Sequence, residues 1–194
     1  MRDEEGRNWP PVVTTVDYNL IARAISYYRE KGYQYIDVPW LVSRGSIDVT
    51  RPMNARYFET FAGILVASGE QSFLEIRGDL EADRKYVCAT PCFRDEKHDD
   101  LHRQTFFKVE LIVARPKYPE WSLFEMIETA EKFFKENCHQ SQKDIKRVPT
   151  EIGIDINLGK VELGSYGIRE HQGFKWVYGT GCAEPRLSQA IQKL

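Results

Sequence analysis

Cysteine is scarce in this chain of 194 residues: only Cys88, Cys92, Cys138 and Cys182. Four thiols in a chain of this size do not make a disulfide framework. Cys88 and Cys92 miss the C-x-x-C spacing of a zinc or redox pair, so buried thiols are the expectation. Long apolar runs are also missing, and none approaches the length that crosses a bilayer. The polar start MRDEEGRN is not a signal peptide, which points to a cytoplasmic protein. Charge of one sign is not in excess either. Lys and Arg number 27 against 29 Asp and Glu, a net charge of −2, so there is no overall basic footprint for nucleic acid. Repeats, low-complexity tracts and Pro/Gly/Ser-rich linkers are absent, and residues 1–194 are expected to form one domain.

What remains is an ordinary globular composition, 42% hydrophobic and 29% charged. WPPVV at 9–13 is extended, because proline disfavours helix in the residue before it. Asp17 is a plausible N-cap for a helix running to about Lys31, with Leu20, Ile21, Ala24, Ile25 and Tyr28 at helical spacing and Gly32 as its stop. YQYIDVPWLV reads as a strand with Pro39 near its end. Residues 57–66 form a further strand, and SGEQSFLEIRGDL holds a short helix. KYVCATPCF and TFFKVELIVA read as an antiparallel hairpin. WSLFEMIETAEKFFKEN is an amphipathic helix with Leu123, Ile127, Ala130 and Phe134 along one stripe. EIGIDINL and KVELGSYGIR are strands joined through Gly159. KWVYGTGCA is another strand, and PRLSQAIQKL a terminal helix with Pro185 near its first turn. Adjacent strand pairs with helices between them predict an α+β domain, a mostly antiparallel sheet flanked by helices.

The hairpin carries unusual chemistry. In CFRDEKHDDLHRQTFFKVE, Arg94 and Glu96 lie two apart at a strand end and share a face. Arginine presents a planar fork to phosphate or carboxylate. Phe106 or Phe107 offers a ring for a flat base. Glu110 lies four residues beyond Phe106, on the same face. A phosphate clamp, an aromatic platform and carboxylates describe a nucleotide pocket. Ion pairs on a solvated hairpin would give the same pattern.

CFRDE, a loop and FFKVEL resemble motif 2 of the class II aminoacyl-tRNA synthetases, CFRDE being close to the aspartyl and lysyl type and FFKVEL to the seryl type. IARAISYYREKGYQYIDVPWLV is similar to motif 1, and GTGCAEPRLSQAI to motif 3 of the seryl enzymes. The resemblance implies ATP- and Mg2+-dependent activation of an amino acid as its adenylate. It implies that Arg94 grips the α-phosphate and the substrate carboxylate. Glu96 would contact adenine or substrate, while Phe106 would stack on adenine with Arg186 on the other face. Glu162 and Ser165 would meet Mg2+ and ATP. Glu70, in a run resembling a lysyl and aspartyl turn, would meet the amino acid's ammonium. Glu110 would also face the amino acid. His98 or Arg103 would reach the outer phosphates, and Pro39 would sit at a homodimer interface.

The chain departs from the family in several places. Neither an anticodon-binding domain nor a coiled-coil arm is recognised, and motif 3 has only Gly179 and Gly181 before Arg186. These differences leave the acceptor open: tRNA, a carrier protein or a small amine. A non-catalytic regulatory paralog and an ammonia-dependent asparagine-synthetase-like ligase are the alternatives. Cys182 and Glu110 fall near two ligand positions of a zinc-dependent branch, but no cysteine stands at the first, and zinc is not expected.

Overall fold

The computed structural model describes residues 16–52, 55–95, 103–138 and 144–192. The extended segment at 9–13, Glu96 and His98 lie outside the described residues. Among those described, the larger sheet has seven strands in the order β1-β5-β6-β10-β9-β8-β7. They are β1 (Gln34–Tyr35), β5 (Arg84–Phe93), β6 (Thr105–Ala114), β7 (Ile145–Pro149), β8 (Ile154–Leu158), β9 (Val161–His171) and β10 (Phe174–Glu184). All neighbours are antiparallel except β1, which runs parallel to β5 at one edge. A small sheet, β2-β4-β3, is built from β2 (Leu41–Val42), β3 (Glu59–Thr60) and β4 (Gly63–Leu65). This is the α+β architecture expected from the sequence.

Two segments fold differently from their reading. YQYIDVPWLV is not one strand: β1 joins the large sheet, β2 joins the small one, and Pro39 lies in the connector. Proline has no N–H to give a ladder and restricts the residue before it, so the chain leaves one sheet there and enters another. Residues 57–66 form a hairpin rather than one strand, turning just before Gly63, whose φ of 146° suits a residue without Cβ. The short β7 at the opposite edge and helix α2 (Arg44–Ile47) carry no clear sequence signal.

One face of the large sheet is covered by α1 (Tyr18–Glu30), α4 (Pro119–Asn137) and α5 (Arg186–Gln192). Asp17 caps α1, accepting the amide protons of Asn19 and Leu20 at 2.9 and 3.0 Å. Leu20, Ile21, Ala24 and Tyr28 of α1 and Met126, Ile127, Ala130, Phe133 and Phe134 of α4 meet Val109, Leu111 and Val113 of β6 in the main core. Each large side chain removed from water there contributes about 1.5–3 kcal/mol. The opposite face is covered at one end only. There α3 (Gly69–Glu75) lays Phe73 and Leu74 over Tyr86, Cys88, Ile112 and Trp176. The rest of that face stays open and forms a cleft. Among the described residues, no helix is long and apolar enough to cross a membrane.

Candidate active site

The cleft, about 250 Å3, lies between the uncovered face of β5, β6, β9 and β10 and the segment from α2 to α3. Strand alternation decides what enters it. On β6, Val109, Leu111 and Val113 point into the helical core, so Lys108 and Glu110 face the cleft. On β10, Tyr178 and Thr180 do the same.

Arg94 follows β5 and lines this cleft. Its Nε donates to the carbonyl of Ala67 at 3.0 Å, and its guanidinium lies over the Phe106 ring, 5.0 Å from the centroid. Behind it, Glu110 Oε1 accepts a short hydrogen bond from Ser68 Oγ and pairs with Lys108 Nζ at 2.7 Å. Ser68 is also the N-cap of α3, accepting the Glu70 amide at 3.3 Å. The contact is close because residue 69 is glycine: a Cβ there would come within 2.8 Å of Glu110 Cγ. Lys108 and Glu110 are thus locked to the start of α3.

Glu70, in the first turn of α3, is buried. Its Oε2 accepts from Arg169 Nη1 at 2.5 Å and its Oε1 from Trp176 Nε1 at 2.7 Å. Burial raises its pKa, against the pull of Arg169 and Trp176, and Glu110 adds to the rise. Arg169 stacks over the Tyr178 ring at 4.1 Å and lines the cleft with it.

Glu162 and Ser165 both line the cleft, although residues three apart on a regular strand face opposite ways. A β-bulge in β9 resolves this. Glu162 pairs with Asn157 and Gly164 with Ile156, leaving Leu163 as an extra residue that turns into the core. Gly164 permits the close packing, since a Cβ would meet Tyr166 Oη at 2.6 Å and Thr180 O at 3.0 Å. Asp155 and Asn157 of β8 stand directly across from Ser165 and Glu162, and each has an Oδ1 that is buried without a hydrogen-bond partner. Burial raises the Asp155 pKa, with Ser165 opposing and Glu162 adding to the shift. Arg186, the first residue of α5, reaches Glu162 Oε1 at 3.3 Å and its carbonyl at 3.5 Å. It meets the cleft through Glu162 rather than lining it.

A second bulge, between Thr180 and Cys182 on β10, puts Thr180 opposite Glu110 and Cys182 opposite Val109. Thr180 opposite Glu110 faces the cleft, while Cys182 turns into the helical core among apolar residues. The two side chains therefore lie on opposite faces of the sheet and do not share a metal. Arg103 is half-buried ahead of β6, and Pro39 is half-buried between the sheets.

No protein-family model matches the chain. In solved structures, the pyrrolysyl-tRNA synthetase of Desulfitobacterium hafniense superposes with a TM-score of 0.71 at 14% identity, over 91% of this chain and 69% of that one. The seryl-tRNA synthetase of Pyrococcus horikoshii, complexed with ATP, gives 0.68 at 18% identity over 90% of this chain and 49% of that one. The cytoplasmic serine-tRNA ligase of Naegleria fowleri, in complex with AMP, gives 0.66 at 18% identity over 90% and 47%. The chain has the class II aminoacyl-tRNA synthetase fold. In sequence it is 26% identical over 187 residues to the serine-tRNA ligase of Staphylothermus marinus, covering 87% of this chain and 38% of that relative. It thus spans well under half the length of that curated relative.

Within this synthetase fold, Arg94, Glu70, Glu110, Glu162 and Ser165 converge on one cleft. Arg169 and Lys108 belong to the same cleft and were not singled out in the sequence. Both were within reach of period-two counting: Lys108 lies midway between Phe106 and Glu110, and Arg169 four residues after Ser165.

Proposed function

We propose that this cleft activates an amino acid as its adenylate, using ATP and Mg2+. The observation that carries this reading is the sharing of one cleft by Arg94 and Glu162, with Arg186 held on Glu162. Activation brings a carboxylate against a triphosphate, so two anions must be held at attack distance. Arg94 offers a fixed cation where charge builds at the α-phosphorus. The attacking carboxylate is already ionised, so no general base is required. Positioning and charge stabilisation do most of the work, as in other displacements at phosphorus.

Arg186 would meet the outer phosphates or the base, His98 or Arg103 would reach the outer phosphates, and Glu96 would contact adenine or the substrate. The base would use the Phe106 face that Arg94 leaves uncovered. Glu70 and Glu110 would accept from the amino acid's ammonium, since a carboxylate has about four acceptor sites and the bonds described above occupy two on each. The ATP complex of the Pyrococcus horikoshii enzyme supports this choice of nucleotide.

The metal would sit at Glu162 and Ser165. Among the described residues, no three His, Cys, Asp or Glu side chains form a protein-only cage. That suits Mg2+, which keeps several waters and takes one or two carboxylates plus phosphate oxygens. The unpartnered oxygens of Asp155 and Asn157, on the same face, fit its outer hydration shell. When bound, the ion would neutralise charge on the phosphates.

Residues 1–194 would form a single catalytic domain that pairs as a cytoplasmic homodimer. Trp40, Leu41, Phe58 and Phe61 on and beside the small sheet leave apolar surface exposed next to Pro39, which supports pairing of two copies there. The adenylate would pass to a tRNA, a carrier protein or a small amine.

An ATP–pyrophosphate exchange screen over the twenty amino acids tests the reading. Exchange with one amino acid or a small set is expected. No exchange with any, together with no ATP-induced thermal shift, would favour a non-catalytic paralog.

A further inference from the structure

The buried carboxylate of Glu184 has no part in the activation chemistry described above. It ends β10, opposite Phe107 of β6, and is fully buried. Its Oε1 accepts the Ser188 amide at 2.9 Å, and its Oε2 accepts both Ser188 Oγ at 2.7 Å and the Asp17 amide at 3.2 Å. Ser188 is the third residue of α5, and Asp17 is the N-cap of α1. One carboxylate therefore ties together the starts of two helices and the end of the central strand.

Burying a carboxylate against neutral donors alone is costly, and a neutral capping side chain would satisfy the start of α5 at less expense. What the carboxylate adds is a second acceptor oxygen, which reaches α1 as well. A seven-residue helix does not hold its place by its own cooperativity and depends on such anchors. Arg186 opens that helix, two residues after Glu184, and its guanidinium must span to Glu162 on β9. We propose that Glu184 is a positioning residue for Arg186, fixing the start of α5 against α1 so that the Arg186 guanidinium stays at the ATP end of the cleft. The proposal rests on the adenylate-forming reading of the cleft.

The test measures ATP binding by calorimetry, and the KM for ATP and for the amino acid in exchange. It compares the wild-type chain with Glu184→Gln, Arg186→Ala and the double variant. Glutamine keeps one acceptor oxygen: placed as Oε2 it can still hold Ser188 Oγ and the Asp17 amide, but its NH2 then faces the Ser188 amide and the start of α5 loses that acceptor. Glu184→Gln is expected to weaken ATP about tenfold and leave the amino-acid KM unchanged, with the double variant no weaker than Arg186→Ala alone. Hydrogen exchange should speed up in α5. Ser188→Ala removes one donor, and its smaller loss in the same direction keeps the test usable if Glu184→Gln fails to fold. Wild-type affinity in Glu184→Gln, a fully additive loss in the double variant, or a matching rise in the amino-acid KM would overturn the proposal. A wild-type chain that does not bind ATP would instead sink the reading of the cleft, and this proposal with it.

Discussion

Arg94 can be removed at small cost to the fold. It is half-buried at the edge of an open cleft, where a polar side chain adds little to the core. Its bond to the Ala67 carbonyl and its contact with the Phe106 ring contribute about 1–2 kcal/mol between them. Arg94→Ala is therefore expected to melt within a few degrees of wild type while exchange falls by about a hundredfold or more. Unfolding with full activity per folded molecule would make Arg94 structural. Gly164 behaves in the opposite way. Gly164→Ala drives a methyl into Tyr166 Oη and the Thr180 carbonyl, neither of which can withdraw without disturbing β10. A loss of about 1–3 kcal/mol by denaturant titration is expected, together with weaker Mg2+ dependence as Glu162 and Ser165 lose their common face. Stability equal to wild type would show that the bulge relaxes freely.

The edge strand β7 is held to α4 largely by charge, because most of its side chains are exposed. Arg147 Nε meets Glu131 Oε2 at 2.5 Å, and its Nη2 makes a short contact with Glu128. Burial alone would raise the Glu131 pKa, but the hydrogen bonds of Lys135 and Arg147 outweigh it and hold the carboxyl below its ordinary value of 4.5. A depressed carboxyl pKa stabilises the fold above the unfolded-state value and loses that effect as pH falls through the folded one. Arg147→Ala should cost about 1 kcal/mol at neutral pH, discounted for partial exposure of the pair. The gap from wild type should narrow below about pH 4.5 in melting curves taken across that range. A gap constant with pH would mean that Arg147 acts through packing alone.

Across the whole molecule, the two faces of the large sheet have different tasks. The helix-covered face carries the main core, and the other is left open for the cleft. The small sheet extends from the open side and exposes Trp40 and Phe61. If two copies pair there, replacing both Trp40 and Phe61 by serine should convert a dimer to a monomer in sedimentation velocity, with the core and the ATP affinity retained. A wild-type chain that sediments as a monomer at working concentration would remove the proposed interface.

Much of this was legible in the residues. Helical spacing and the Asp17 cap located α1, alternation located the β5–β6 hairpin, and the charged hairpin end drew attention to Arg94, which lines the cleft. These signals are local, a matter of period and capping between near neighbours. The two bulges were not legible, because an extra residue is defined only against the strand it pairs with. They place Glu162 beside Ser165 and turn Cys182 away from Glu110. The splitting of residues 33–42 between two sheets, the Glu70–Arg169 pair and the Glu184 clamp are likewise contacts between distant segments. Their partners are chosen by packing in three dimensions, and no pattern along the chain encodes that choice.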